Sequence, residues 1–185
     1  MAKEFAALDE TLCQFIASQR LFFVATAPST ADGHLNLSPK GLDTFFVLGP
    51  RQVRYVDFPG SGVETIAHLR DDGRIVFLFC AFEGPPKILR LHGRGRSIEP
   101  SDPEFADFRD RFPPGSRVRA VIVADLDRIS DSCGYGVPLY RFERDRDQLP
   151  KWAERKGDDG LREYRRKHNA ESIDGLPGLR RPEEG

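Results

Sequence analysis

The sequence predicts a mainly β protein, a barrel of about six or seven strands with a few peripheral helices, and three observations carry that prediction. Short apolar or alternating runs such as Leu21–Ala27, Thr44–Leu48 and Arg74–Ala81 recur along the chain, each bounded by Gly, Pro or Asp. These runs do not alternate with helical segments in the regular way that a doubly wound sheet requires. Fourteen Phe stand against one Trp, and Phe concentrates in the strand-like runs, where it suits a half-buried pleated surface. At 185 residues the chain is long enough for one domain with a real core. Its 28 basic and 29 acidic residues leave a formal net charge of -1, which favours neither nucleic acid nor an anionic membrane as a partner.

Taken in order, Phe5, Leu8, Leu12, Phe15 and Ile16 recur at helical spacing and predict one amphipathic helix that ends near Gln19 and covers an end of the core. Leu21–Ala27 and His34–Ser38 read as a hairpin joined by the polar loop Pro28–Gly33. Pro39-Lys40-Gly41 breaks the pattern, and Thr44–Leu48 and Gln52–Asp57 resume it on either side of Gly49-Pro50. A helix follows and stops at Asp71-Asp72-Gly73. Arg74–Ala81, the most apolar segment, is expected as a central strand. In Lys87–Arg96, Gly93 and Gly95 predict a bulge or a close backbone approach, where a ligand or partner chain has room to lie. Asp102–Arg111 reads as a short helix and Arg117–Leu126 as the last long strand. From Asp127 the composition turns polar: Ser130–Pro138 reads as a loop, and helices near Gln148–Lys156 and Asp158–His168 carry too few apolar positions for a core of their own. The expected organisation is a barrel domain over residues 1–130 and an extension over 131–185 that docks on the barrel or on a second subunit, frayed at Arg180–Gly185.

The chemistry concentrates in Arg54–Leu69, which changes from strand period to helix period at Pro59-Gly60-Ser61-Gly62. Gly60 and Gly62 permit a tight turn and a close ligand approach, Ser61 is placed to cap the helix, and Thr65 follows one turn on. Such a helix start suits a phosphate, although the same residues also describe an ordinary turn and cap. Cys13, Cys80 and Cys133 lack the spacing of a disulfide framework or a zinc site, which fits a reducing, cytoplasmic setting. Lys3, Glu4, Asp9 and Glu10 interrupt any signal peptide, and no run approaches the ~18 apolar residues of a membrane span. His34, His68 and His92 lack metal-ligand spacing. Cys133 and Tyr135 read as loop residues before reactive ones, and Arg90, Arg94 and Arg96 as either an anion-attracting face or a solvated edge.

The set Asn36-Leu37-Ser38-Pro39-Lys40-Gly41, Tyr55-Val56-Asp57-Phe58, Gly60-Ser61-Gly62, Ala67-His68-Leu69 and Gly73–Phe79 resembles the pyridoxamine 5'-phosphate oxidase-like, FMN-binding split-barrel family over Leu21–Ile129. Cys133–Pro138 and Asn169–Gly178 resemble a bacterial subgroup whose substrate is generally unassigned. The resemblance implies a six-stranded split barrel, a homodimer with shared cofactor clefts, and an oxidoreductase acting on a small molecule with FMN, or alternatively F420 and occasionally haem. A flavin-binding carrier or sensor without turnover is the other implied reading. By position, Ser38, Pro39, Lys40 and Gly41 would lie along the flavin ring, Asp57 and Phe58 near the ring and ribityl chain, and Gly60, Ser61, Gly62 and Thr65 around the phosphate. Where the oxidase proper carries adjacent basic residues, Gly62, Val63 and Glu64 stand here, so phosphate charge must be met from elsewhere, with Lys40, Arg54 and Arg74 as candidates, or affinity must be weaker. The oxidase's C-terminal basic substrate motif has no match after Leu126, which argues against vitamin B6 oxidation itself.

Overall fold

The computed structural model describes residues 3–112 and 117–180. Its eight strands are β1 (Lys3–Phe5), β2 (Phe22–Thr26), β3 (Asn36–Lys40), β4 (Phe45–Gly49), β5 (Gln52–Asp57), β6 (Arg74–Cys80), β7 (Ile88–Ile98) and β8 (Ala120–Ser132). The helices are α1 (Glu10–Ser18), α2 (Glu64–Asp71) and α3 (Gln148–His168), with a 3-10 helix at Pro103–Arg111. All pairings are antiparallel, in the order β3-β2-β6-β7-β8-β5-β4, with β1 added to β8. The sheet curls into a split barrel. Phe45 of β4 reaches across to Phe22, Phe77 and Phe79, with ring centroids 5.0, 5.2 and 4.9 Å away, so strands far apart in the sheet order share one interior.

The strand count exceeds the expected six or seven, and Phe5 shows why. It leaves the expected helix and pairs as β1 with Ile129. The helix starts only where Asp9 caps it, accepting a hydrogen bond of 2.8 Å from the Leu12 amide. Leu8, Leu12 and Ile16 keep the buried stripe. The last strand also outruns its expected end at Leu126 by six residues, to Ser132, so the first part of the expected loop is strand. A bulge accounts for this: His92 pairs with Arg128 and Gly93 with Leu126, which leaves Asp127 extra on β8. The slip changes the alternation, so that Leu126 and Ile129, three apart, are both buried.

The glycines of β7 therefore serve packing, with no space left over for a ligand. A side chain at Gly93 would fall on the Asp125 carbonyl, while at Gly95 it would press on Leu69 and Ile75. The main core lies inside the curl, from Leu12 and Phe22 to Phe77, Leu91 and Ile129. A second cluster of Val56, Ile98, Phe105, Val118, Val121 and Val123 lies on the other face beneath the 3-10 helix, which is why β5 and the first half of β8 are buried on both sides. In α3, Gly157 at φ 64° breaks the helix between its two arms, and Trp152 and Tyr164 meet across the break at 4.9 Å. Ala153 and Leu161 are buried, and Arg165 donates to the Val118 carbonyl at 3.3 Å, so the extension lies on the barrel of its own chain. Of the expected frayed end, Arg180 is held by the Glu99 carboxylate through its amide, while 181–185 lie outside the described residues.

Gly93→Ala is expected to destabilise the fold by roughly 2–4 kcal/mol, the range of severe overpacking against backbone. Gly49→Ala, where a Cβ meets nothing within 4 Å, serves as the neutral control. Urea unfolding of the two variants checks the difference; equal midpoints would contradict the close approach of β7 and β8.

Candidate functional site

A cleft of about 400 Å³ opens between β3, the segment after β5 and the start of α2. Ser38, Pro39, Lys40 and Gly41 form one wall, and Phe58, Gly60, Ser61, Gly62 and Thr65 form the other. Asn36, Leu42, Thr44, Val56, Pro59, Glu64, Arg119 and Leu149 complete it. Pro39 is tolerated within β3 because that strand is an edge of the sheet and no neighbour asks for its missing N–H. Beyond Gly41, Leu42 and Asp43 both hold positive φ, 62° and 52°. Two successive non-glycine residues in this region store backbone strain at the cleft wall, and Thr44 steadies the turn by donating to the Gly41 carbonyl at 2.9 Å.

Asp57 is the one sequence-predicted site residue that does not line the cleft. It lies beneath, 1% exposed, with Oδ2 accepting from Arg119 Nε at 2.7 Å and Oδ1 from Lys40 Nζ at 3.2 Å. Burial alone would raise its pKa. The charges and hydrogen bonds of Arg119 and Lys40 outweigh burial and hold the carboxyl below its ordinary value. Arg119 also donates from Nη1 to the carbonyls of Gly60 and Gly62, at 3.1 and 2.7 Å. The fully buried Asn169 donates from Nδ2 to the carbonyls of Gly60 and Ser61, at 2.9 and 3.2 Å.

Ser61 does not cap the helix. Val63 holds the cap position without a side-chain hydrogen bond, and its burial at 1% exposure pins the helix start from the core side. Ser61 is instead exposed at the cleft mouth. Thr65 lies in the first turn of α2, and its Oγ1 accepts from Asn36 Nδ2 at 3.0 Å. Asn36 also receives Ser38 Oγ at 2.8 Å and donates to Thr26 Oγ1 at 3.1 Å, and Thr26 meets His68 Nδ1 at 3.0 Å. Burial draws His68 below its ordinary pKa, against the raising influence of Glu64 and the Thr26 hydrogen bond, so the ring is neutral at physiological pH. Glu64 opposes an anion: its Oε2 lies 2.5 Å from the point a Cβ of Gly62 would occupy.

Of the three cations expected to meet a phosphate, only Lys40 is at the cleft. Arg54 lies in the second core cluster over Phe46 and Phe108, 4.3 and 5.1 Å from their ring centroids. Arg74 is on the surface, paired with Asp72. Sequence reasoning missed Arg119, whose signal was a pair of arginines, Arg117 and Arg119, leading into the apolar run Ala120–Ala124. It gave no site role to Asn36, Glu64 or Asn169, although each falls in a stretch that the family comparison quoted. Cys133 and Tyr135 are exposed and away from the cleft. Arg90, Arg94 and Arg96 are engaged by Ser132, Asp72 and Glu104. His34 pairs with Asp174. Among the described residues no cluster of His, Cys, Asp or Glu is arranged to hold a metal, and no helix is long and apolar enough to cross a membrane.

A curled antiparallel sheet whose edge strand faces a glycine turn and helix start across a polar cleft defines a split-barrel protein of the pyridoxamine phosphate oxidase type. The chain belongs to the pyridoxamine 5'-phosphate oxidase family: residues 8–133 match it, and 95% of the chain is covered by 42% identity over 192 residues to the pyridoxamine 5'-phosphate oxidase family protein ustO of Aspergillus flavus, 77% of which is spanned. Two solved structures share the fold. HupZ of Group A Streptococcus has a TM-score of 0.51 at 21% identity, over 66% of this chain and 91% of that one. A putative pyridoxamine 5'-phosphate oxidase from Lactobacillus delbrueckii has a TM-score of 0.52 at 17% identity, over 69% of this chain and 98% of that one.

The Asp57 pair sets an acid limit on the cleft. Because its folded pKa is lowered, its stabilisation is complete above the unfolded value of about 3.9 and is lost as pH falls through the lower folded value. Asp57→Asn is expected to flatten the acid branch of the stability curve and, by stranding Arg119, to cost about 3–5 kcal/mol at neutral pH. Denaturant unfolding between acid and neutral pH measures both; an unchanged acid branch would rule the pair out as its source.

Proposed function

We propose that this protein binds FMN in the cleft and acts as an FMN-dependent oxidoreductase on a small molecule, as a homodimer whose subunits share the cofactor clefts. The observation that supports this reading most is the convergence of Ser38–Gly41 with Gly60–Gly62 and Thr65, two stretches some twenty residues apart in sequence, on one cleft. Its parts suit the cofactor. Phe58, Pro39 and Val56 offer apolar surface, the backbone of β3 offers a polar edge, and the turn with Thr65, Arg119 and Lys40 offers an anion site. When bound, the flavin supplies hydride acceptance and donation. The chain's own residues then bind and orient: Lys40 and Arg119 together outnumber Asp57 in charge, Thr65 brings a hydroxyl to the cleft wall, and Leu149 of the extension adds to the lining. A reducing, cytoplasmic setting belongs to the same reading, supported by three free and separate cysteines.

Binding without turnover is the second reading, with F420 as the alternative cofactor. It is favoured by the acid-base inventory. Glu64 is the one carboxylate among the described cleft-lining residues, and His68 is buried behind Thr26. Reduction of the bound flavin by NADH or NADPH, followed by stopped flow, separates enzyme from binder.

Titration of apo-protein with FMN, F420 and riboflavin is expected to give one equivalent of FMN per subunit and a clear preference over riboflavin. Removing the opposing charge with Glu64→Gln should tighten FMN by roughly threefold to tenfold and leave riboflavin unchanged. Equal affinity for FMN and riboflavin in the unaltered protein would refute a phosphate site at this turn. Sedimentation is expected to give a dimer, since Leu35, just before β3, and Leu37 on its open edge are 80% and 69% exposed. A monomer that still held FMN stoichiometrically would overturn the shared cleft.

A further inference from the structure

We infer that Asn169, with the C-terminal segment that follows it, is the residue that orients the Gly60–Gly62 turn for an anion, a positioning role that rests on the flavin reading of the cleft. The argument begins with peptide planarity, which sets the N–H of each residue opposite the carbonyl of the one before. The carbonyls of Gly60 and Ser61 point to Asn169 Nδ2, and those of Gly60 and Gly62 to Arg119 Nη1. The Ser61 N–H is therefore turned away from both side chains, the Gly62 N–H from Asn169 and the Val63 N–H from Arg119. Asn169 is 0% exposed and lies behind the turn, whereas Ser61 and Gly62 are exposed at the cleft wall, so the N–H groups of Ser61 and Gly62, opposed to the carbonyls that Asn169 holds, are on the open side. Were Asn169 absent, the Ser61 carbonyl would lose the donor that holds it back and could rotate toward the cleft, presenting an acceptor where an anion needs a donor.

The orientation of the amide is itself determined. Turned over, its oxygen would meet two carbonyl oxygens; as placed, Nδ2 donates to both, and Oδ1 is left buried without a hydrogen bond among the described residues. A leucine would avoid that unsatisfied oxygen, and only a forked donor holds both carbonyls. The main chain around Asn169 is equally committed. Its N–H closes the end of α3 on the Arg165 carbonyl, and its carbonyl accepts from Leu179 at 2.8 Å. Gly178 lies so close that a Cβ there would strike the Asn169 carbonyl and stand 2.9 Å from Val63 Cγ1. Arg70 of α2 donates to the Gly178 carbonyl, and Asp174 accepts from the His34 amide at 2.8 Å. The segment thus clasps the turn, the helix behind it and the loop that leads into β3, which are the walls of the cleft.

The test is the ratio of FMN to riboflavin affinity, measured by fluorescence titration on the full chain. Asn169→Ala is expected to weaken FMN by about tenfold or more and riboflavin by less than about threefold, because only the phosphate meets the turn. Far-UV circular dichroism checks that the variant folds. If it does not, Gly178→Ala, which pushes the clasp off Val63 while keeping Asn169, decides by the same ratio. An unaltered preference for FMN in the variant overturns the inference and leaves the flavin reading standing. An equal loss of both ligands also overturns it, since Asn169 would then only hold the fold. No preference for FMN in the unaltered protein sinks the flavin-phosphate reading, and this inference with it.

Discussion

The buried pair of Asp57 and Arg119 is the constraint on which the cleft depends. A carboxylate and a guanidinium taken out of water together usually gain little, because desolvation consumes most of their attraction. Here the remaining hydrogen-bonding capacity is spent on structure. Arg119 Nη1 takes two carbonyls of the turn, Lys40 takes the second carboxylate oxygen, and the Arg119 amide meets the Asp57 carbonyl at 2.8 Å. Four pieces of the chain are joined at one point: β5, the entry to β8, the edge strand β3 and the turn. In the sheet order β3 and β5 are separated by four strands. The ladder pairings do not fix the distance between the two walls; the Lys40–Asp57 bridge and the Asn36–Thr65 hydrogen bond do.

What local pattern could encode was legible in the sequence. The strand runs, the helix α2, its stop at Gly73 with φ 82°, the bulge at Gly93 and the break between the arms of α3 all follow from period, glycine and polarity. The stretches Ser38–Gly41 and Gly60–Gly62 were legible by resemblance, and the fold brings them together. The partners that organise them were not. Arg119 bonds a residue 62 positions away, and Asn169 a carbonyl 109 positions away; no periodicity records such a pair. The misread elements share a cause of the same kind. Ser61 has the chemistry of a cap, but burial of Val63 decides where the helix begins. Phe5 has helical spacing, but the free edge offered by Ile129–Asp131 draws it into a strand.

The extension after β8 shows how a segment poor in apolar residues can still be held in place. Its surface ion pairs, such as Lys151–Asp147 and Arg166–Glu163, add little, since water and salt screen exposed charges. The hold comes from a few buried groups that meet backbone. Asn169 is 0% exposed and Ser172 8%, Leu179 packs on the main core, and hydrogen bonds link Gly178 to Ala170 at 2.8 Å and Ser172 to Leu176 at 2.9 Å. Each of these contacts satisfies a main-chain group that burial would otherwise leave unpaired, and that gives the segment one fixed path.

Two buried carboxylates then divide the site by their response to pH. Asp57, under the cleft, is held below its ordinary pKa because two cations and their hydrogen bonds outweigh burial. Glu99, 3% exposed beneath the clasp, is raised above its ordinary value, because burial outweighs the charge of Arg70 and the amide of Arg180. The signs are opposite. The contribution of Asp57 is complete at neutral pH and lost in acid, whereas that of Glu99 is complete below its unfolded value of about 4.3 and declines as pH rises through its folded one. At neutral pH the floor of the cleft therefore keeps the full contribution of Asp57, which Arg119 and Lys40 hold from two sides.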